Sequence, residues 1–286
     1  MNIGVIGTGL MGQPLALRLL EQGYGVTAYN RTAEKLTAIA AAGGASAPDP
    51  TAVLKNSEVV ILMLTDAIAI ESLLLNPATQ PRLAGKTIIQ MGTIAPEQSR
   101  QLDVQIQAAG GSYLEAPVLG SIPQVKTGSL LVMVGSTPEQ YQAQFSLFKQ
   151  LGNEPRYIGP VGTAAALKLA LNQLIGSLTT AFALSLNFAQ QEGVPVASLM
   201  QILRESALYA PTFDKKLQRM LEGNFTNPNF PTKHLLKDMN LFAKAATAQN
   251  TAIVQGVIDV VQNAIAQGHG DDDYSSIYNA ISAIRE

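Results

Sequence analysis

The segment Gly7-Thr8-Gly9-Leu10-Met11-Gly12 constrains this chain more than any other. It lies between an apolar run, Asn2-Ile3-Gly4-Val5-Ile6, and an amphipathic stretch bearing Leu15, Leu19 and Leu20. A short apolar run closed by a glycine predicts a buried strand, and the spacing beyond it predicts a helix. In a strand-turn-helix setting, GxGxxG gives each glycine a task. Gly7 makes the tight turn, Gly9 lets backbone N–H groups approach a pyrophosphate, and Gly12 lets the helix pack closely on the strand. The helix N-terminus adds partial positive charge at the same place. The pattern predicts the nucleotide-binding end of a dinucleotide fold.

The next predicted strand, Gly25-Val26-Thr27-Ala28-Tyr29, ends in Asn30-Arg31-Thr32. An NAD site usually carries an acid there, about 20 residues beyond the turn, to bond the ribose 2′-OH. A carboxylate would repel a 2′-phosphate, whereas an arginine fork grips it with charge-assisted hydrogen bonds. The expected cofactor is therefore NADP(H), contacted by Asn30, Arg31 and Thr32.

A length of 286 residues fits two domains. Charged residues make up only 14% against 47% hydrophobic, well below the roughly 25% charged that is usual. The excess apolar surface predicts a homo-oligomer built through the second domain. The net charge of -2, with no long basic run, excludes a nucleic-acid footprint and argues against an acidic membrane surface. The absence of cysteine excludes disulfides, thiolate metal sites and cysteine nucleophiles. His234 and His269 form no metal-ligand spacing, so no metal is expected. The first predicted strand starts at residue 2, which leaves no signal segment ahead of it and predicts a cytoplasmic location.

Further strands are predicted at 59–63, 87–90, 112–114 and 129–134, with helices near 33–42, 67–75, 95–108 and 137–150. Strands alternating with helices predict a parallel, doubly wound sheet. From Gly162 the pattern turns helical throughout, so the expected domains are 1–161 and 162–286. Residues 163–190 are long and mostly uncharged. Polar groups recur through them, however, from Lys168, Asn172 and Gln173 to Ser185 and Asn187. They are expected to form a buried central helix rather than a membrane span.

Three places could carry chemistry. Lys168 is the only charge in that long helix, with Asn172 one turn on and on the same face. A buried ammonium either meets a partner or ligand, or snorkels its head to water. Asp238 falls on the apolar stripe of Leu235, Phe242 and Ala245. It either pairs with a lysine such as Lys168 or lines a polar pocket. Glu115-Ala116-Pro117-Val118-Leu119-Gly120-Ser121 follows a predicted strand end, where ligands bind in open α/β sheets. There Gly120 and Ser121 offer N–H groups and a hydroxyl to an anion. Thr93 holds a similar position after the strand at 87–90.

These motifs, in this order, resemble the β-hydroxyacid dehydrogenase family over essentially the whole chain, and within it the glyoxylate/succinic semialdehyde reductase branch. The resemblance implies a Rossmann-type domain followed by an all-helical one. It places Gly7, Gly9, Leu10, Met11, Gly12, Met63, Leu64 and Thr93 at the cofactor, with Lys168 and Asn172 as the catalytic lysine and asparagine. Thr93, Leu119, Gly120, Ser121, Phe230 and Asp238 would face the substrate. The implied reaction is NADPH-dependent reduction of a small aldehyde acid, glyoxylate or succinic semialdehyde, with protonated Lys168 donating to the carbonyl oxygen. Leu119 stands where the motif usually has serine, which removes a hydroxyl from the substrate end. The alternatives are a 3-hydroxyisobutyrate-type dehydrogenase, an imine reductase and a non-catalytic NADP-binding scaffold.

Overall fold

The computed structural model describes residues 1–282. β1 (Asn2–Ile6) leads into α1 (Gly12–Glu21), β2 (Gly25–Tyr29), α2 (Thr37–Ala41), β3 (Ala45–Ser46), α3 (Pro50–Asn56) and β4 (Val59–Leu62). Next come α4 (Ala67–Leu74), β5 (Thr87–Gln90), α5 (Pro96–Ala108), β6 (Ser112–Glu115) and β7 (Val118–Leu119). α6 (Ile122–Thr127), β8 (Leu131–Gly135), α7 (Pro138–Leu151) and β9 (Arg156–Gly159) complete the strand-bearing part. The helices α8 (Thr163–Gln191), α9 (Val196–Glu205), α10 (Pro211–Glu222), α11 (Thr232–Ala245), α12 (Ala252–Ala264) and α13 (Ile277–Ser282) follow. The chain divides into two compact units, Met1–Lys168 and the residues from Leu169 onward, so the division falls inside α8.

In the first unit the strands are ordered β3-β2-β1-β4-β5-β6, all parallel. Period-two alternation sends successive side chains to opposite faces of this sheet. Ile3, Val5, Val59, Ile61 and Ile89 pack with Leu15 and Leu19 of α1 and Phe148 of α7. Ile6, Val60, Leu62 and Ile88 pack with Leu54 of α3, Ile70 of α4 and Leu102 of α5. Both faces are covered, which is why these strands read as nearly unbroken apolar runs.

The far edge departs from the parallel sheet expected from strand-helix alternation. β6 meets β8 antiparallel at Glu115 and Gly135, and β7 also pairs antiparallel with β8. β9 then returns parallel to β8. A parallel connection needs a crossover of a dozen or more residues, usually through a helix. Between β6 and β8 the chain uses some of its length on β7 and folds the rest into the six-residue α6, so it doubles back instead.

The second unit is held by Phe182, Met200, Phe213, Met220, Leu235, Met239 and Val261, with the Phe182 and Phe213 rings stacked 4.7 Å apart. A buried ion pair, Lys216 Nζ to Asp273 Oδ1 at 2.7 Å, ties α10 to the segment before α13, and the same ammonium lies 4.3 Å from the Tyr274 ring centre. α8 is the one described helix that is long and apolar enough, by length and composition, to cross a membrane. It is not the wholly buried helix its composition predicts. Ala183 and Leu186 enter the core, but Leu174, Leu178, Leu184 and Phe188 are exposed. The apolar residues run round the helix, while the core of this unit covers only one side of it.

Candidate active site

Strand order reverses between β1 and β4, the switch point where open α/β sheets bind ligands. The Gly7 N–H donates to the Tyr29 carbonyl at 2.9 Å and the Met63 N–H to the Ile6 carbonyl at 2.9 Å, which draws the ends of β1, β2 and β4 together. Gly7 has a φ of +96°, and a Cβ there would lie 2.4 Å from the Met63 carbonyl oxygen. A Cβ on Gly12 would lie 1.9 Å from the Gly7 carbonyl oxygen. The fold itself therefore requires both glycines. Gly9 differs, since its φ is outside the left-handed region and a Cβ there would meet nothing within 4 Å. The open space over Gly9 is the cradle that close approach of a pyrophosphate needs. Leu10 is exposed, and Met11, Met63 and Leu64 are half-buried around the turn.

Asn30 Oδ1 accepts the Thr32 N–H at 2.9 Å, so Asn30 shapes the loop. Arg31 and Thr32 are exposed after it.

At the next strand ends, Leu119 is half-buried on β7, opposite Leu131. Gly120 follows with a φ of +135°. Ser121 caps α6, and its expected anion-binding donors are already in use. Its N–H and its hydroxyl both donate to Gln124 Oε1, at 2.9 Å and 2.8 Å. An anion at Ser121 would have to displace Gln124.

Lys168 and Asn172 share a face of α8. Lys168 is half-buried rather than sealed in the interior, because the first turns of α8 lie partly open to solvent. Asn172 and Asp238 are each 2% exposed. Asn172 Nδ2 donates to Asp238 Oδ2 at 2.6 Å, and Lys237 Nζ lies 3.1 Å from Asp238 Oδ1. Asp238 is thus paired, and its partners include an amide that composition alone did not suggest. Only the nitrogen end of an amide can donate to a carboxylate, so Asp238 fixes which way the Asn172 side chain points. Phe230 is half-buried, with its ring edge-on to Tyr274 at 5.6 Å.

Residues 2–159 match the NAD-binding domain of 6-phosphogluconate dehydrogenase, and residues 162–281 match the NAD-binding domain of NADP-dependent 3-hydroxyisobutyrate dehydrogenase. Glyoxylate/succinic semialdehyde reductase 1 of Arabidopsis thaliana is 31% identical over 291 aligned residues, covering 100% of both chains. The chain belongs to the β-hydroxyacid dehydrogenase family. It is an NAD(P)-dependent oxidoreductase. A second relative of this dehydrogenase, the cytokine-like nuclear factor N-PAC of Xenopus tropicalis, is 32% identical over 98% of the chain, which spans only 53% of that protein. Among solved structures, 3-hydroxyisobutyrate dehydrogenase of Mycobacterium tuberculosis with L-serine shares the fold, with a TM-score of 0.88, 21% identity and coverage of 99% of each chain.

Two buried polar residues, Gln90 and Glu115, have partners that the sequence does not give. Gln90, 1% exposed at the end of β5, donates through Nε2 to the Gly92 carbonyl and accepts the Gly92 N–H. It thereby shapes the turn that carries Thr93. Glu115, 1% exposed at the end of β6, accepts the N–H groups of Gly162, Ala164 and Ala165 at 2.9, 2.8 and 3.0 Å through Oε1, while Ser99 donates to Oε2. Burial pushes its carboxyl above the ordinary range, and the donors from Ser99, Ala165, Gly162 and Ala164 pull against that. The sequence signal for Gln90 is a polar side chain ending a buried strand, and for Glu115 it is that together with its place at the head of the segment 115–121.

Proposed function

We propose that this dehydrogenase uses NADPH to reduce a small aldehyde acid, glyoxylate or succinic semialdehyde, to the hydroxy acid. The observation that carries the reading is the buried Asn172–Asp238 pair one turn beyond Lys168. With its nitrogen held by Asp238, the Asn172 amide is left with its carbonyl oxygen as the acceptor that can orient an ammonium. Lys168 then holds a proton for the carbonyl oxygen, where negative charge develops. The exposed arginine of Asn30-Arg31-Thr32 supports NADP(H) over NAD(H), since it leaves a cation and no carboxylate where a 2′-phosphate would lie. The bound nicotinamide supplies the hydride. In this reading Gly120 and Thr93, after β7 and β5, would hold the substrate carboxylate, and that positioning is where much of the rate gain would arise. The exposed Leu174, Leu178, Leu184 and Phe188 support a homo-oligomer formed through the helical unit.

The test is NADPH oxidation over a panel of glyoxylate, succinic semialdehyde, other small aldehyde acids and cyclic imines, together with oxidation of 3-hydroxyisobutyrate. Turnover of an aldehyde acid is expected, and Lys168→Ala should lower kcat by a factor of roughly 10² or more with NADPH binding retained. A mutant with near-normal turnover would remove Lys168 from the chemistry. The match of residues 162–281 to the domain of NADP-dependent 3-hydroxyisobutyrate dehydrogenase favours a second reading, as a dehydrogenase of that type. That reading predicts oxidation of 3-hydroxyisobutyrate with NADP and little turnover of the aldehyde acids.

A further inference from the structure

The Glu115 carboxylate lies at the start of the helix that bears Lys168, although Glu115 itself belongs to the sheet. Its Oε1 accepts three backbone N–H groups, from Gly162, Ala164 and Ala165. The first N–H groups of an α-helix have no partner inside the helix, and here one buried oxygen serves several of them. Its other oxygen is held by Ser99, which also shares a 2.8 Å hydrogen bond with the buried Tyr113 hydroxyl. Two glycines make room for the arrangement. Gly135 faces Glu115 in register, and a Cβ there would lie 2.4 Å from Oε1. Gly162 has a φ of +98°, a conformation that an L side chain rarely adopts.

We infer that Glu115 is a positioning residue, fixing α8 to the end of β6 and so setting the axial and rotational position of Lys168, one turn beyond the last N–H it holds. This rests on Lys168 being the proton donor. A carboxyl oxygen suits the task because one buried atom with two lone pairs can accept several N–H groups at once. A strand end is also a stiffer mount than a loop. A donor displaced by about 1 Å loses on the order of 10²-fold in rate, so a slack anchor would lower turnover without disturbing cofactor capture at the glycine turn.

The experiment compares Glu115→Met, Glu115→Gln and Lys168→Ala, and combines the first and last. Glu115→Met keeps the volume and removes every acceptor. It should lower kcat about 10- to 100-fold, leave the Kd for NADPH within about 2-fold, and speed amide exchange at Ala164 and Ala165 at least about 10-fold. Glu115→Gln keeps one oxygen for the helix and should retain most of the turnover, within about 5-fold, which preserves the comparison if the methionine variant fails to fold. In the Lys168→Ala background, Glu115→Met should cost less than about 2-fold, because residues acting through one another are not additive. Turnover of Glu115→Met within 2-fold of the natural protein would overturn the inference. A loss that persists undiminished without Lys168 would also overturn it. If Lys168→Ala alone leaves turnover intact, the donor assignment falls and the positioning claim falls with it, while amide exchange still reports separately whether Glu115 holds the helix.

Discussion

Replacing the glycines of the turn one at a time separates what the fold needs from what the cofactor needs. At Gly12 a methyl group would be placed 1.9 Å from the Gly7 carbonyl oxygen, and backbone must move to admit it. Overpacking of this kind costs about 1–3 kcal/mol, sometimes more. For a chain of this size that corresponds to a fall in Tm of roughly 2–12 °C. At Gly9 the same methyl group meets nothing within 4 Å. Without cofactor, Gly9→Ala should therefore melt at or slightly above the natural protein, since alanine at a compatible position stabilises by about 0.4–1 kcal/mol through the unfolded chain. With cofactor the order changes. The methyl group occupies the space a pyrophosphate would approach, and a clash of about 1–3 kcal/mol weakens binding by roughly 5- to 150-fold. Melting curves without ligand, paired with NADPH fluorescence titrations, measure both effects. A Gly9→Ala protein that melts several degrees low would show that the fold needs this glycine after all. One that binds NADPH as tightly as the natural protein would show that no phosphate approaches the turn there.

Arg31→Ala should weaken NADPH about 10- to 150-fold, because hydrogen bonds to charged groups contribute about 1.5–3 kcal/mol, and should change NADH binding far less. Equal weakening of both cofactors, or a natural preference for NADH, refutes the role given to Arg31. At the substrate end, a carboxylate facing Leu119 loses a hydrogen bond at about 1–3 kcal/mol, which a longer substrate offsets by burying methylenes at about 0.8 kcal/mol each. Succinic semialdehyde is therefore expected to have the higher kcat/KM, and Leu119→Ser should narrow its lead over glyoxylate. A ratio that does not move shows that residue 119 faces away from the substrate.

Much of this protein is written in local patterns. Ile3 and Val5 alternate with Gly4 and Ile6 in a strand ended by Gly7, and the spacing of Gly7, Gly9 and Gly12 specifies a turn and a helix start that need no distant partner. The loss of strand signals after Gly162 likewise marks the helical part. Ser121-Ile122-Pro123-Gln124 has the spacing of a capping box, and the structure forms its reach-back half, with the Ser121 N–H donating to Gln124 Oε1. Other features depended on the chain closing over long separations. Asn172 and Asp238 are 66 residues apart in sequence, and Glu115 is 47 to 50 residues from the N–H groups it holds. The reversal of β8 and the exposed side of α8 belong with them. Periodicity encodes which face of an element is apolar, because that is set within a turn or two of chain. It does not encode which buried donor meets which buried acceptor, since those partners are chosen only when the packed elements exclude water and unpaired polar groups become costly.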